Sequence, residues 1–317
     1  IGKKGILWWS IYSILKRKKK KPGFLLLENV PRLLKSPRNN PGKDFYVILS
    51  CLNELGYAVE WRVINAAEYG APQKRKRVYI FGAHRTTKYY SSLLKKDKTC
   101  VVASEGLMAK ALEHSVVEGS ETHGSTTLIS KVDEAYKTRV SPFLDAGFLL
   151  EGLYVSVKSN ARSFLYESAS LGEVLQPVEE VEKKHFINFN QPLKKEVVYT
   201  WVGGKKEVLR TLGEKWRFLK GKKNIIKTNT VSGYTYRYNE GKMNLFDSHD
   251  KPSRTIVTVE YRKSPNRITH LVKQGKKIRL LTPLELEKLN MFPENHTLHP
   301  KLTDSKRGFL MGNALVV

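Results

Sequence analysis

The N-terminal part of the chain switches repeatedly between a helical and a strand-like hydrophobic period. Ile6, Leu7, Trp8, Trp9, Ile11, Ile14 and Leu15 predict a buried helix over 6–15. The run Lys16-Arg17-Lys18-Lys19-Lys20-Lys21 follows at its C-terminus, where cations complement the helix dipole, and Pro22-Gly23 ends it. Phe24-Leu25-Leu26-Leu27 is short, continuously apolar and bounded by turn residues, the pattern of an interior parallel strand. Phe45, Ile48, Leu49, Leu52 and Leu55 return to helical spacing, and Gly56 stands where a C-cap is expected. Tyr57, Val59, Trp61 and Val63 alternate with their neighbours as in a strand, and Val78-Tyr79-Ile80-Phe81-Gly82 predicts another. Strand, helix, strand, loop, strand is the order of an open α/β sheet.

That rhythm fails after about residue 85. Residues 85–270 hold short strand-like pieces, many lysines and tyrosines, and turn pairs such as Gly203-Gly204 and Ser232-Gly233. They predict a separate, mostly β and irregular domain inserted between an α/β part at 1–84 and its return at 271–317. In the return, Thr282-Pro283-Leu284-Glu285 forms a capping box with proline at the first helical position, and Leu281 and Leu286 supply a hydrophobic staple.

Charge changes this picture more than size does. The 317 residues, 40% of them apolar, suffice for two domains. Lysine and arginine total 56 against 30 acidic residues, a formal balance of +26. Such an excess favours a polyanionic partner, whose phosphates it neutralises with release of counterions. No apolar stretch is long enough for a transmembrane helix, and the basic run follows the first apolar segment, the reverse of a signal peptide. Two cysteines, Cys51 and Cys100, argue against a disulfide framework and fit a reducing cytoplasm. The chain opens on Ile1 and stops in the apolar Ala314-Leu315-Val316-Val317, so both ends are expected to be cut.

Several short motifs carry chemistry. In order they are Lys4-Gly5-Ile6-Leu7-Trp8-Trp9; Glu28-Asn29-Val30; Tyr69-Gly70-Ala71-Pro72-Gln73-Lys74-Arg75-Lys76-Arg77-Val78; Arg279-Leu280-Leu281-Thr282-Pro283-Leu284-Glu285, continuing to Met291-Phe292-Pro293; and Gly312-Asn313-Ala314. Each alone is weak. In this order and spacing they resemble the motif series of bacterial C5-cytosine DNA methyltransferases, the modification enzymes of restriction systems. The likeness covers about 1–84 and 275–317, and the middle corresponds to that family's variable target recognition domain. It implies a partial Rossmann-like α/β methyltransferase sheet with an inserted recognition domain, S-adenosylmethionine as cofactor and double-stranded DNA as partner.

The chemistry explains the residue types. Cytosine C5 is a poor nucleophile until a thiolate adds at C6. Addition is easier when an acid serves ring N3 and cations hold O2 of a base extruded from the duplex. The resemblance implies Glu28 in the first role and Arg77 in the second, with Arg75 supporting the site and a nearby phosphate. It places Leu7 near the adenosine, and Asn313 with the backbone of Ala314 at the methionine end, where many relatives carry serine. It assigns Gln73, Arg254 and the Thr255-Ile256 pair to DNA binding. Aromatic and arginine side chains around Tyr234, Tyr236 and Tyr238 could read bases, or pack in a small β core.

Plainer roles compete for the same residues. Glu28 could be an exposed strand-end acid, Arg75 and Arg77 a solvated edge, Leu7 plain core and the lysine run a solvated helix end. The family's glycine-rich motif, acidic ribose ligand and Pro-Cys-Gln nucleophile are absent from the sequence, and Ile1-Gly2-Lys3 resembles the tail of the catalytic loop. Cys51 sits on the apolar face of a helix, and Cys100 has neither the proline before it nor the glutamine after it. The chain alone is therefore expected to be inactive. Its rivals are a non-catalytic recognition subunit of a split methyltransferase, a tRNA cytosine-5 methyltransferase on the same scaffold, and a generic basic nucleic-acid binder.

Overall fold

The computed structural model describes residues 6–161, 167–199, 206–230, 232–261 and 264–316. Ile1 to Gly5, the Gly203-Gly204 turn and Val317 lie outside the described residues. The chain divides into two compact units, the first made of 1–69 with 76–167 and the second of 70–75 with 168–317. The boundaries expected at 84 and 270 are thus replaced.

In the first unit the predicted elements form in order: α1 (Ile6–Arg17), β1 (Phe24–Asn29), α2 (Lys43–Glu54), β2 (Tyr57–Asn65) and β3 (Lys76–His84). Gly56 closes α2 at φ +85°, where a side chain would also collide with Arg85. Then come β4 (His114–Val116), β5 (Thr122–Ser125), β6 (Ala146–Leu150), β7 (Leu153–Val157) and β8 (Ser159–Ala161). A six-stranded sheet has the order β1-β3-β2-β6-β7-β5, antiparallel at every pairing, while β4 pairs with β8 separately. β6 pairs directly with β2, so residues beyond 85 take part in the same sheet.

One expectation about β1 is corrected. It lies at the end of the strand order and runs antiparallel to β3, instead of being an interior parallel strand. Its apolar run is split between two faces: Leu25 and Leu27 pack against the core, whereas Phe24 and Leu26 are 56% and 67% exposed. α1 is likewise half open, with Tyr12 and Leu15 buried and Leu7 and Ile14 exposed. The core beneath the sheet gathers Phe45, Leu49 and Leu52 of α2 against Trp61, Val78 and Ile80, with Phe45 edge-on to Trp61 at 5.3 Å.

The second unit holds three antiparallel pairs: β9 (Pro192–Tyr199) with β10 (Lys206–Thr211), β11 (Lys223–Thr228) with β12 (Thr235–Glu240), and β13 (Val272–Gln274) with β14 (Lys277–Arg279). Its helices include Leu212–Lys220, Pro283–Leu289 and Asp304–Asn313. The capping box forms as the sequence predicts. Thr282 Oγ1 accepts from Glu285 N at 3.2 Å, and Glu285 Oε2 accepts from Thr282 N at 2.8 Å. Leu281 and Leu286 are buried in one cluster. Glu285 is also wholly buried and takes both terminal nitrogens of Arg279, at 2.7 and 2.8 Å. No helix among the described residues is long and apolar enough to cross a membrane, and none of their His, Cys, Asp and Glu side chains form a metal-binding group.

Lys220, at the end of its helix, is 1% exposed, with the Asp247 carboxylate 3.8 Å away. Burial pulls its pKa from 10.5 down to about 8. Below pH 8 both folded and unfolded states carry the proton, so the full penalty is present. Between 8 and 10.5 only the unfolded state holds it, so stability rises with pH. Lys220→Met is therefore expected to stabilise the protein by roughly 1–3 kcal/mol at neutral pH. Urea unfolding at pH 7 and pH 10 checks this, since the gain should shrink towards the higher pH.

Candidate functional site

Two groups of predicted site residues emerge, one in each unit. In the first, Glu28 is the penultimate residue of β1 and Arg77 the second of β3. Glu28 lies opposite Tyr79 in the register, so the two-residue period of a strand puts Arg77 on its face. Arg77 Nε meets Glu28 Oε1 at 2.7 Å, while Arg77 Nη1 donates to Lys76 O at 2.7 Å. The side chains are 16% and 28% exposed, neither sealed in the core nor freely solvated. The same face carries the exposed Phe24 and Leu26, with Phe24 stacked on Phe81 at 5.8 Å. A hydrogen-bond donor and an acceptor thus stand side by side at the end of an apolar sheet face. A flat heterocycle with adjacent acceptor and donor positions on its edge matches that arrangement.

The second group gathers Gln73, Arg75, Thr255, Ile256 and Ala314. Gln73 is fully buried; its Nε2 donates to Leu289 O at 3.1 Å and Asn290 Oδ1 at 2.9 Å, and its Oε1 accepts from Ile256 N at 3.0 Å. Arg75, 3% exposed, donates from Nη1 to Ile256 O at 3.1 Å and from Nη2 to Gly312 O at 3.1 Å and Ala314 O at 2.6 Å. Thr255 Oγ1 donates to Lys74 O at 2.5 Å. These side chains bind backbone segments to one another, and Gln73 and Arg75 form a buried clamp. Gln73, Arg75 and Ile256 are buried, whereas Thr255 and Ala314 are half-buried.

Other predicted residues are placed apart from that role. Ile256 is 1% exposed and packs in the core of its unit. Arg254 forms a two-pronged bond with Asp247, Nε to Oδ1 at 2.6 Å and Nη2 to Oδ2 at 3.1 Å, and Nη1 donates to Ile268 O at 3.1 Å. Its guanidinium is thus engaged within its own unit while remaining about one-third exposed. Leu7 is 69% exposed on α1, not core. Asn313 is exposed at the end of its helix, where Nδ2 donates to Phe309 O at 3.3 Å. Ala314 N donates to Leu310 O at 2.9 Å and its carbonyl takes Arg75, so its backbone is already engaged on both sides.

Several partners in the second unit carry no local sequence signal. Asn290 completes the Gln73 clamp and donates to Met311 O at 2.8 Å. Buried Ser253 accepts or donates across 2.9 Å to His270 Nε2, and His270 Nδ1 faces Glu260 Oε1 at 2.7 Å. No hydrophobic period marks such residues; only contact partners distant in sequence do. Cys51 behaves as expected of a structural thiol: it is fully buried, which pushes its thiol up to about 12. Cys100 is exposed, its thiol raised first by desolvation and then by the nearby Asp97 and Glu105 carboxylates.

The sequence matches the C-5 cytosine-specific DNA methylase family over residues 2–317. It is 36% identical over 317 residues to the type II methyltransferase M.Sau3AI of Staphylococcus aureus, covering 100% of this chain and 69% of that protein. A shorter likeness, 45% over 84 residues, covers 25% of this chain and 19% of the type II methyltransferase M.NlaIV of Neisseria lactamica. Among solved structures, the S. pombe Dnmt2 methyltransferase is similar in fold, with a TM-score of 0.50 at 11% identity, over 98% of this chain and 66% of that one.

Proposed function

The chain belongs to the C-5 cytosine-specific DNA methylase family, and from that premise we propose that it is the base-holding and DNA-reading part of a DNA (cytosine-5)-methyltransferase of a restriction–modification system. The observation that carries this is the Glu28–Arg77 pair, 2.7 Å apart on one sheet face. An extruded cytosine has a carbonyl oxygen, O2, adjacent to a ring nitrogen, N3. Arg77 donates to O2, and Glu28 serves N3 as hydrogen-bond partner and acid. Both interactions draw electron density from C6 and favour addition of a thiolate there. Gln73 and Arg75 serve a different end, bonding segments of the second unit to one another.

S-adenosylmethionine, when bound, supplies the methyl group. Two of the expected cofactor residues fit it: Leu7 presents an exposed apolar side chain suited to an adenine ring, and Asn313 an exposed carboxamide suited to a polar ligand group. Ala314 fits less well, because its backbone N–H and carbonyl are already bonded. The nucleophile is assigned to neither cysteine. Cys51 is sealed in the core with a thiol near 12, and no Pro-Cys-Gln sequence occurs in the 317 residues.

These 317 residues alone are accordingly expected to bind duplex DNA but to transfer no methyl group. Binding should weaken steeply with salt, as phosphate neutralisation requires. The assay pairs a salt titration of DNA affinity with incorporation of labelled methyl into the same duplex. Cytosine methylation by this chain alone, or salt-insensitive binding, would refute the proposal.

A further inference from the structure

β11 and β12 form a two-stranded ribbon paired to no other strand among the described residues. They run in unbroken register from Lys223 opposite Glu240 to Thr228 opposite Thr235. The root is fixed: Lys223 and Arg267 both hold Glu240, at 3.2 and 3.3 Å, and Arg267 donates to the carbonyls of Leu219 and Gly221 at 3.0 Å each. The tip is closed by Asn229 N to Tyr234 O at 2.8 Å and Gly233 N to Asn229 O at 2.9 Å, with Gly233 at φ +68°. This is a preorganised projection, not a loose loop.

Its two faces differ. Lys223, Ile225 and Lys227 share a face with Glu240, Tyr238 and Tyr236, and that face satisfies itself: Lys227 lies over the Tyr238 ring, whose hydroxyl donates to Glu240. The opposite face carries Asn224, Ile226, Arg237 and Thr235. There Arg237 Nε donates to Asn224 Oδ1 at 2.7 Å, which orients the guanidinium while leaving the residue exposed. Ile226 is 59% exposed, Tyr234 68% and Tyr236 41%, and Ile226, Thr235, Tyr236 and Arg237 line a groove of about 320 Å³. Within 222–242 the cations Lys222, Lys223, Lys227, Arg237 and Lys242 face a single acid, Glu240, which is already neutralised.

We infer that this ribbon enters the major groove of duplex DNA, and that Arg237 selects a guanine in the recognised sequence. The inference rests on the function proposed above, since it names the element by which the same protein reads DNA. Width decides the groove: at about 12 Å the major groove admits a two-stranded ribbon, whereas the minor groove, at about 6 Å, does not. An oriented guanidinium matches guanine O6 and N7 in two-pronged fashion, and Ile226 offers an apolar contact to a thymine methyl. Exposed Lys222 at the root is placed for phosphate, which positions without specifying.

The test selects bound sequences from a pool of randomised duplexes with the purified 317-residue chain, its Arg237→Ala variant and its Lys222→Ala variant, all at one salt concentration. The parent should enrich a defined sequence. Arg237→Ala should lose discrimination at one guanine by roughly tenfold to a hundredfold, while Lys222→Ala should weaken all sequences alike and flatten the salt dependence. Both positions are exposed, so neither change threatens folding. A parent that binds duplexes without preference, or an Arg237→Ala chain that keeps every preference, overturns the assignment while leaving the proposed function standing. A parent that binds no duplex at all overturns the proposed function, and the ribbon assignment with it.

Discussion

A complete methyltransferase carrying Glu28→Gln is expected to turn over roughly a hundred to ten thousand times more slowly than its parent, about 3–5 kcal/mol of barrier. Glutamine has nearly the same shape and keeps an oxygen for Arg77. It lacks a transferable proton for ring N3, and its bond to Arg77 no longer joins two charges. The expected signature is a fall in kcat with duplex affinity and KM changed little, because the role proposed for Glu28 is on the extruded base and not on phosphate. Stability should barely move. The pair sits at a partly exposed strand end, 28% and 16% exposed, where ion pairs contribute at most about 1 kcal/mol. Steady-state kinetics alongside thermal melting separates these effects. Unchanged kcat would mean that Glu28 is merely a strand-end acid paired with its neighbour.

Local signals in the sequence account for much of the first unit. α1, α2, β2 and β3 each announce themselves by period, and Thr282-Pro283-Leu284-Glu285 encodes its helix start within four consecutive residues. What could not be read was pairing at a distance. The run Phe24-Leu25-Leu26-Leu27 suits an interior strand and an end strand equally, and only the strand order among the described residues places it at the end. The extension of the sheet into β6 and β7 was hidden for the same reason. Even there a clue existed, since Glu151 and Gly152, both at positive φ, join those strands in a two-residue turn.

The site shows the same division. Glu28 and Arg77 were nameable from motifs, yet their contact depends on register. In Gln73-Lys74-Arg75-Lys76 the surface-like composition concealed a strict alternation: glutamine and arginine are buried, and both lysines are exposed. The choice of arginine over lysine at the buried position was the available signal. A planar guanidinium can bridge several carbonyls at once, whereas an ammonium on a flexible stem is more strongly hydrated and resists burial.

That distinction carries the second large expectation. Arg75→Ala should destabilise the protein by about 3–5 kcal/mol, and Arg75→Lys should recover less than half of the loss. Arg75 joins the carbonyls of Ile256, Gly312 and Ala314, tying the 253–258 segment to the end of the helix Asp304–Asn313. Alanine leaves two buried acceptors and one part-buried acceptor short of a donor, and a void where the guanidinium lay. The surroundings cannot close over it, because the helix already meets Val257 and Thr258 so tightly that any side chain at Gly312 would collide with their backbone. Lysine has one nitrogen to offer in place of a planar fork. Denaturant unfolding followed by near-UV circular dichroism would measure the loss in each variant, and a value under about 1 kcal/mol for alanine would show that the clamp is dispensable. Set beside Glu28→Gln, the expected order inverts: one change removes turnover and spares the fold, whereas the other removes stability first and turnover only through it.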